Sequence, residues 1–219
     1  MNLPVNEIFS TIQGEGSFTG TPAVFVRLQY CPVGCPWCDT KHTWEKRDED
    51  LISFKGLFDK HSDSELWAEA TNLELVDYLI QQPEELIVIT GGEPCTYDLT
   101  ELTTSLLLNG KQPQIETSGT AKIRAHEKTF ITLSPKFHMP GGLKVLDSAF
   151  READELKMPV GKMADVEKLK VVLARWQGCF PVYVQPLSQS EKATQLCIEQ
   201  ARLNGWRLSA QLHKFLKIR

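Results

Sequence analysis

The chain has 219 residues, 42% of them hydrophobic, which is enough to bury one full core, so a single domain over residues 1–219 is expected. Lys plus Arg total 24 against 28 Asp plus Glu, a net charge of −4, so no global basic field is present to hold a phosphate backbone, and a nucleic-acid partner is not expected. The opening residues MNLPVNEIFS carry no basic segment followed by an apolar one, and no run approaches the roughly 18 apolar residues of a membrane span; a soluble, cytoplasmic protein without a membrane partner is expected.

In chain order, the first strong element is an apolar strand over residues 23–30. Before it, Gly14-x-Gly16 invites a dinucleotide reading, but Gly20 falls one position late and no strand obviously precedes it, so that reading is rejected. Cys31, Cys35 and Cys38 follow the strand directly. The charge-dense residues 41–63 read as a solvated excursion anchored by Trp44, Phe54, Leu57 and Phe58, and residues 45–70 match no pattern. Helical spacing places Leu75, Val76, Leu79 and Ile80 on one face of a helix over 73–82. A strand at 86–90 carries LIVI without alternation, as both-face burial demands. A helix over 98–108 ends at Asn109-Gly110, a good C-cap. Further strands are expected at 114–117, 130–134, 155–158, 182–185 and 207–211, with helices at 142–152, 165–176 and 190–204. Seven strands alternating with helices, in a chain shorter than the roughly 250 residues of a closed (β/α)8 barrel, imply an α/β fold of the partial, open (β/α)6 type.

Three thiolates spaced C-x3-C-x2-C can hold three irons of a [4Fe–4S] cube and leave the fourth iron open to another ligand. A zinc site on the same cysteines with His42 has plausible spacing too. Cys95, Cys179 and Cys197 lie among apolar neighbours and read as small buried hydrophobes, Cys95 also as a possible site-lining residue, in a reduced compartment. Polar residues recur at the expected C-terminal ends of strands: Arg27, then Thr90 to Glu93, Glu116 to Ser118, Ser134 to Lys136, Lys157, Gln185, and Gln211 with His213. Singly, each has a bland reading as a cap or a solvated charge. Together they converge on one mouth of such a barrel, beside the cysteine loop.

CPVGCPWC followed by TGGEP resembles the radical S-adenosylmethionine (SAM) superfamily. More narrowly, NEIFSTIQGEG, FVRLQYCPVGCPWCDT, VITGGEP, IETSGT, LSPK, VQP and QLHKFL resemble the 7-carboxy-7-deazaguanine synthases along the whole chain. That resemblance implies conversion of 6-carboxy-5,6,7,8-tetrahydropterin to 7-carboxy-7-deazaguanine, with loss of ammonia, in the queuosine pathway. SAM would act as a reusable cofactor, its radical removing hydrogen from C6.

By matching positions, the resemblance implies a [4Fe–4S] cluster on Cys31, Cys35 and Cys38 and Mg2+ at Thr40. SAM would meet Trp37, Gly92, Glu93, Ser118, Ser134, Lys136 and Gln185, with Trp37 near the adenine and the Glu93 carboxylate among the acceptors for the ammonium. The substrate would meet Ile12, Gln13, Gly14, Glu15, Arg27, Thr90 and His213, with the Arg27 fork on its carboxylate, and the terminal carboxylate of Arg219 would have to reach the pocket. Leu212 departs from the small hydroxyl residue common before this histidine. A homodimer and a flavodoxin-like electron donor are implied as partners. A glycyl-radical activase would share the cysteines without IQGEG and CDT; a zinc-stabilised binding module would leave TGGEP and SPK without a use; a regulatory protein that kept the fold is the third alternative.

Overall fold

The computed structural model describes residues 2–176 and 178–219. Strand β1 (Asn2–Ile12) forms an antiparallel hairpin with β2 (Pro22–Leu28), in register from Glu7 opposite Arg27 to Ile12 opposite Pro22. After the cysteine loop come β3 (Leu51–Ile52), β4 (Trp67–Thr71) and helix α1 (Asn72–Ile80). The alternation then becomes regular: β5 (Leu86–Gly91), α2 (Thr100–Leu108), β6 (Gln112–Thr117), β7 (Phe130–Leu133), α3 (Asp147–Glu152), β8 (Glu155–Val160), α4 (Met163–Arg175), β9 (Val182–Pro186), α5 (Glu191–Asn204), β10 (Arg207–Leu208) and α6 (Leu212–Leu216). One sheet contains all ten strands in the order β10-β9-β8-β7-β6-β5-β2-β1-β4-β3, and it does not close.

The seven strands expected from sequence are β2 and β5 to β10, and all neighbours among them are parallel. Leu86 to Ile89 are at most 1% exposed because both sheet faces are covered. Ile87 and Ile89 join the main core under the helices, while Leu86 and Val88 pack with Ala23, Phe18 and Phe25 on the other face.

Three strands lie outside that expectation. β1 runs directly into Gly14, so a strand does precede the glycines; a short 3-10 turn and β2 follow instead of a helix, and the dinucleotide motif stays excluded. The cysteine loop therefore follows the second strand of the chain, which is the first of the parallel set. β1 escapes notice because Asn6 and Glu7 are buried within it, beside a register shift between Val5 and Glu7. Their partners are distant: Asn6 donates to Gln29 Oε1 at 2.8 Å and to the Ser64 carbonyl at 2.9 Å, and Lys60 donates to Asn6 Oδ1 at 3.1 Å.

The same contacts tie residues 41–66 to the sheet. Leu57 is buried there, and Phe54, Phe58 and Tyr78 form an aromatic cluster with centroids 4.7–6.5 Å apart. Trp67 is also buried and donates to the Arg47 carbonyl at 2.8 Å. The helix expected over 142–152 shortens to α3, because Gly141 lies against the cysteine loop: its N–H reaches the Val33 carbonyl at 3.1 Å, and a Cβ there would sit 2.0 Å from the Pro32 carbonyl oxygen. Cys95 and Cys197 are buried as expected, whereas Cys179 is exposed.

Candidate active site

Parallel strands running one way carry their C-terminal ends to one rim, and a cavity of about 810 Å³ opens there. Cys31, Cys35 and Cys38 line it. Their loop is tightened by the Cys38 N–H on the Cys35 carbonyl at 3.0 Å. Cys38 Sγ accepts from the Thr40 N–H and the Trp44 Nε1–H, both at 3.4 Å, and lies 3.4 Å from Thr40 Oγ1. Trp44, expected only to anchor the excursion, is thus part of the cysteine environment. Burial pushes the Cys31 thiol up to about 11 and raises that of Cys35, against which the Lys136 ammonium acts.

His42 does not join the thiols. Its ring lies among Arg27, Asp63, Glu7 and Lys60, burial being the main cause of its lowered pKa, and Nε2 has no hydrogen-bond partner among the described residues. Among the described residues no three His, Cys, Asp or Glu side chains gather about a point for a single ion, as Cys3His zinc requires. A cubane makes no such demand, since each thiolate takes a separate iron. The donor set, three thiols on one loop facing a cavity, fits a three-cysteine cluster.

The glycines after β5 serve close approach to that loop. Gly91 has φ +117°, and a Cβ on it would lie 2.2 Å from the Leu28 nitrogen. On Gly92 a Cβ would lie 1.9 Å from the Tyr30 carbonyl oxygen. The Gly92 N–H donates to Leu28 at 2.8 Å and the Glu93 N–H to Tyr30 at 2.9 Å. Glu93, 2% exposed, receives the Cys95 N–H at 3.1 Å and the Thr117 hydroxyl at 2.6 Å on Oε1, and the Ser118 N–H at 2.8 Å plus the Ser118 hydroxyl on Oε2. Four donors fill a carboxylate. Glu93 therefore clamps the turn to the end of β6.

Ser118, Ser134 and Lys136 line the neighbouring wall. Lys136 Nζ donates to the Ser134 carbonyl at 2.8 Å and hydroxyl at 2.6 Å, and burial lowers its pKa. Trp37 stands at the rim, 40% exposed. Such an array of hydroxyls and an ammonium suits a ligand carrying ribose hydroxyls and a carboxylate.

The opposite wall is set by register. Glu7, Arg27 and Thr90 are Cα partners across β1, β2 and β5, and so share one sheet face. Arg27 Nε donates to Glu7 at 2.7 Å, which fixes the guanidinium and leaves its Nη groups for a carboxylate. Arg219 shares Glu7 and stacks on the Phe9 ring at 4.3 Å, its carbonyl accepting from Thr11 at 2.5 Å; Glu7 was not singled out in the sequence.

Lys157, expected at the mouth with the other strand-end polar residues, lines the cavity; it is buried at 3% side-chain exposure and bridges Glu15 and Glu116, the latter at 2.9 Å. Burial alone would raise the Glu15 pKa, but the Lys157 charge and bonds from Lys157 and Gln211 hold it at about 2. Gln13 spends both side-chain donors on Gln114 and Glu116 at 3.2 Å, so it orders the loop. Gln185 lines the cavity too, donating to Glu15 at 3.3 Å and accepting from the Ser209 hydroxyl at 2.8 Å. Ile12 and His213 line the cavity, as do Thr40 and Arg219. Gly14 and Cys95 do not: Cys95 is buried, and Gly14 backs His213, whose Nδ1 would lie 2.5 Å from a Cβ there, its carbonyl accepting from the Leu212 N–H at 2.9 Å.

Residues 12–121 match the family of 4Fe-4S single cluster domains. The chain is 48% identical over 222 residues to the 7-carboxy-7-deazaguanine synthase of Escherichia coli (strain K12), covering all of both chains. It is 43% identical over 223 residues to that of Buchnera aphidicola subsp. Schizaphis graminum (strain Sg), again in full. Its fold superposes on the crystal structure of QueE from Escherichia coli with a TM-score of 0.93 at 46% identity, over 97% of this chain and 95% of that one.

Proposed function

The chain belongs to the 7-carboxy-7-deazaguanine synthase family, and we infer from that membership that it is a radical SAM lyase converting 6-carboxy-5,6,7,8-tetrahydropterin to 7-carboxy-7-deazaguanine with loss of ammonia. The observation that carries the reading is one cavity in which Cys31, Cys35 and Cys38 share a rim with the Glu7-fixed Arg27 and the Glu15–Lys157–Glu116 bridge. When bound, a [4Fe–4S] cluster and SAM supply an electron and a carbon-centred radical.

The chain's own part is binding and orientation. The Nη groups of Arg27 take the substrate carboxylate, Thr90 faces the ring from the adjacent strand, and the carboxylates of Glu15 and Glu116 accept ring N–H groups. Lys136 draws the methionyl carboxylate toward the cysteine side. Holding two reactants on facing walls of a walled cavity substitutes bound geometry for random encounter and keeps water from the reacting carbon. Thr40, beside Cys38, is the protein ligand for Mg2+ in this reading, because a hard, largely hydrated cation needs few protein oxygens. A homodimer and a flavodoxin-like donor belong to the same reading on family grounds.

The test is anaerobic reconstitution with iron and sulfide, then incubation with reductant, SAM, Mg2+ and the pterin. Mass spectrometry should show 7-carboxy-7-deazaguanine accumulating over many turnovers per SAM. SAM cleavage with the pterin left intact would refute the substrate assignment.

A further inference from the structure

Lys157 does more than a paired charge requires. It lies on β8, two residues beyond Glu155 and so on the same sheet face, and it reaches across β7 to Glu116 on β6 while also meeting Glu15 in the loop after β1. Glu15 and Glu116 keep 12% and 18% of their side chains open, on the cavity side, while Lys157 keeps 3%. An ion pair built for stability would use one carboxylate, and even then well-packed apolar residues often serve as well. Here a second carboxylate is retained and turned to the cavity, leaving the cluster of three with an excess negative charge.

The lone-pair inventory says what that wall accepts. Among the described residues, Glu15 Oε1 is filled by Gln211 at 2.8 Å and Gln185 at 3.3 Å, and Oε2 has Lys157 alone. Glu116 has one donor on each oxygen, Gln13 at 3.2 Å and Lys157 at 2.9 Å. Three acceptor positions stay open, one on Glu15 and two on Glu116, grouped around a single ammonium. The loop bearing Glu15 is itself pinned: the Ser17 N–H donates to Glu155 at 2.8 Å and the Gly16 N–H to Ser209 Oγ at 3.3 Å.

We propose that Lys157 is the positioning residue for substrate selection, holding Glu15 and Glu116 as a paired acceptor that recognises the adjacent N–H groups of a 2-amino-4-oxopyrimidine edge. The inference rests on the proposed function. It deepens it by naming the edge that is read and the residue that sets the reader. Lys157 touches neither the reacting carbon nor the ring; it acts through the two carboxylates. Without its ammonium, two facing carboxylates compete for one proton and an acceptor is lost. The other charged groups facing the pair are His213, from α6, and Lys136, after β7. A wall of this kind penalises a ring lacking the 2-amino group, because the buried acceptors are then left unpaired.

The experiment is calorimetric binding of the 6-carboxypterin substrate and of its 2-deamino analogue to the cluster- and SAM-loaded protein, without reductant, from about pH 6 to 8. The wild type should bind the 2-amino compound on the order of a hundredfold tighter and show little pH dependence. Lys157→Met should weaken binding of the 2-amino compound about tenfold or more, compress the discrimination and introduce a pH dependence, while Lys157→Arg restores most of each. Glu116→Gln keeps the volume and serves where Lys157→Met does not fold; it should also compress the discrimination. Wild-type discrimination in a folded Lys157→Met or Glu116→Gln variant, with a flat pH profile, would overturn the proposal while leaving the function standing. A wild type that binds neither pterin would instead overturn the functional reading on which it rests.

Discussion

Glu93→Gln changes one atom of the clamp that closes the turn at 90–93. Its two oxygens receive two backbone N–H groups, from Cys95 and Ser118, and two hydroxyls, from Thr117 and Ser118. A carboxamide keeps one acceptor oxygen and puts an NH2 group against the other pair. The hydroxyl there can rotate to accept, but the backbone N–H cannot turn and is left facing a donor. An orphaned buried N–H costs about 1–3 kcal/mol, and the loss of charge assistance on the remaining bonds adds about 1 kcal/mol. At roughly 2–4 °C per kcal/mol for a chain of this size, a penalty of about 3 kcal/mol lowers Tm by about 6–12 °C. Differential scanning calorimetry of the apo protein reads that shift, and SAM titration of the reconstituted protein supplies the contrast: affinity should change by less than about tenfold, since a carboxylate that already receives four donors has no acceptor position to offer an ammonium. An unchanged Tm with SAM affinity reduced well beyond tenfold would refute the clamp and return Glu93 to the ligand.

Cys38→Ala should abolish cluster assembly, whereas Cys197→Ala, in the core and 0% exposed, should keep full iron and sulfide content, measured after anaerobic reconstitution. Gly14→Ala should displace the 211–213 segment, because the added methyl meets His213 Nδ1 at 2.5 Å and its backbone nitrogen at 2.8 Å; faster proteolysis of the C-terminal residues and a KM rise for the pterin would show it, and unchanged values of both would count against the packing described. Glu15 is held at about 2 against an ordinary 4.5, a depressed carboxylate. Its stabilising contribution is therefore present above about pH 4.5 and lost as pH falls toward about 2. Unfolding free energies measured by urea from neutral to acid pH should fall more steeply for wild type than for Glu15→Gln; parallel curves would contradict the assignment.

The parallel half of the sheet was legible because strands buried on both faces carry runs such as Leu86 to Ile89, and the site because its polar residues sit where those strands end. β1 was not legible: Asn6 and Glu7 are buried polar residues whose compensation comes from Gln29, Ser64, Lys60 and Arg27, which no local period records. Helical spacing placed α1 over 73–82, but its start is set by a capping box that apolar spacing does not record, with the Glu74 N–H on Thr71 Oγ1 at 3.2 Å and the Thr71 N–H on Glu74 at 2.8 Å. Cavity residues could be picked singly, but their division of labour could not. The saturation of Glu93 depends on where β6 ends beside β5, and the burial of Lys157 depends on β7 leaving room for its side chain to cross to Glu116. Both are facts of register.

The proposed function turns on hydrogen transfer from C6 of the bound pterin within the cavity shared by the cysteine loop and the Arg27 wall. The most direct test is turnover of 6-carboxy-5,6,7,8-tetrahydropterin carrying deuterium at C6, with reconstituted protein, reductant, SAM and Mg2+. Deuterium should appear in 5′-deoxyadenosine or in recovered SAM, together with 7-carboxy-7-deazaguanine. Vigorous SAM cleavage with all the deuterium retained in unchanged pterin would contradict it.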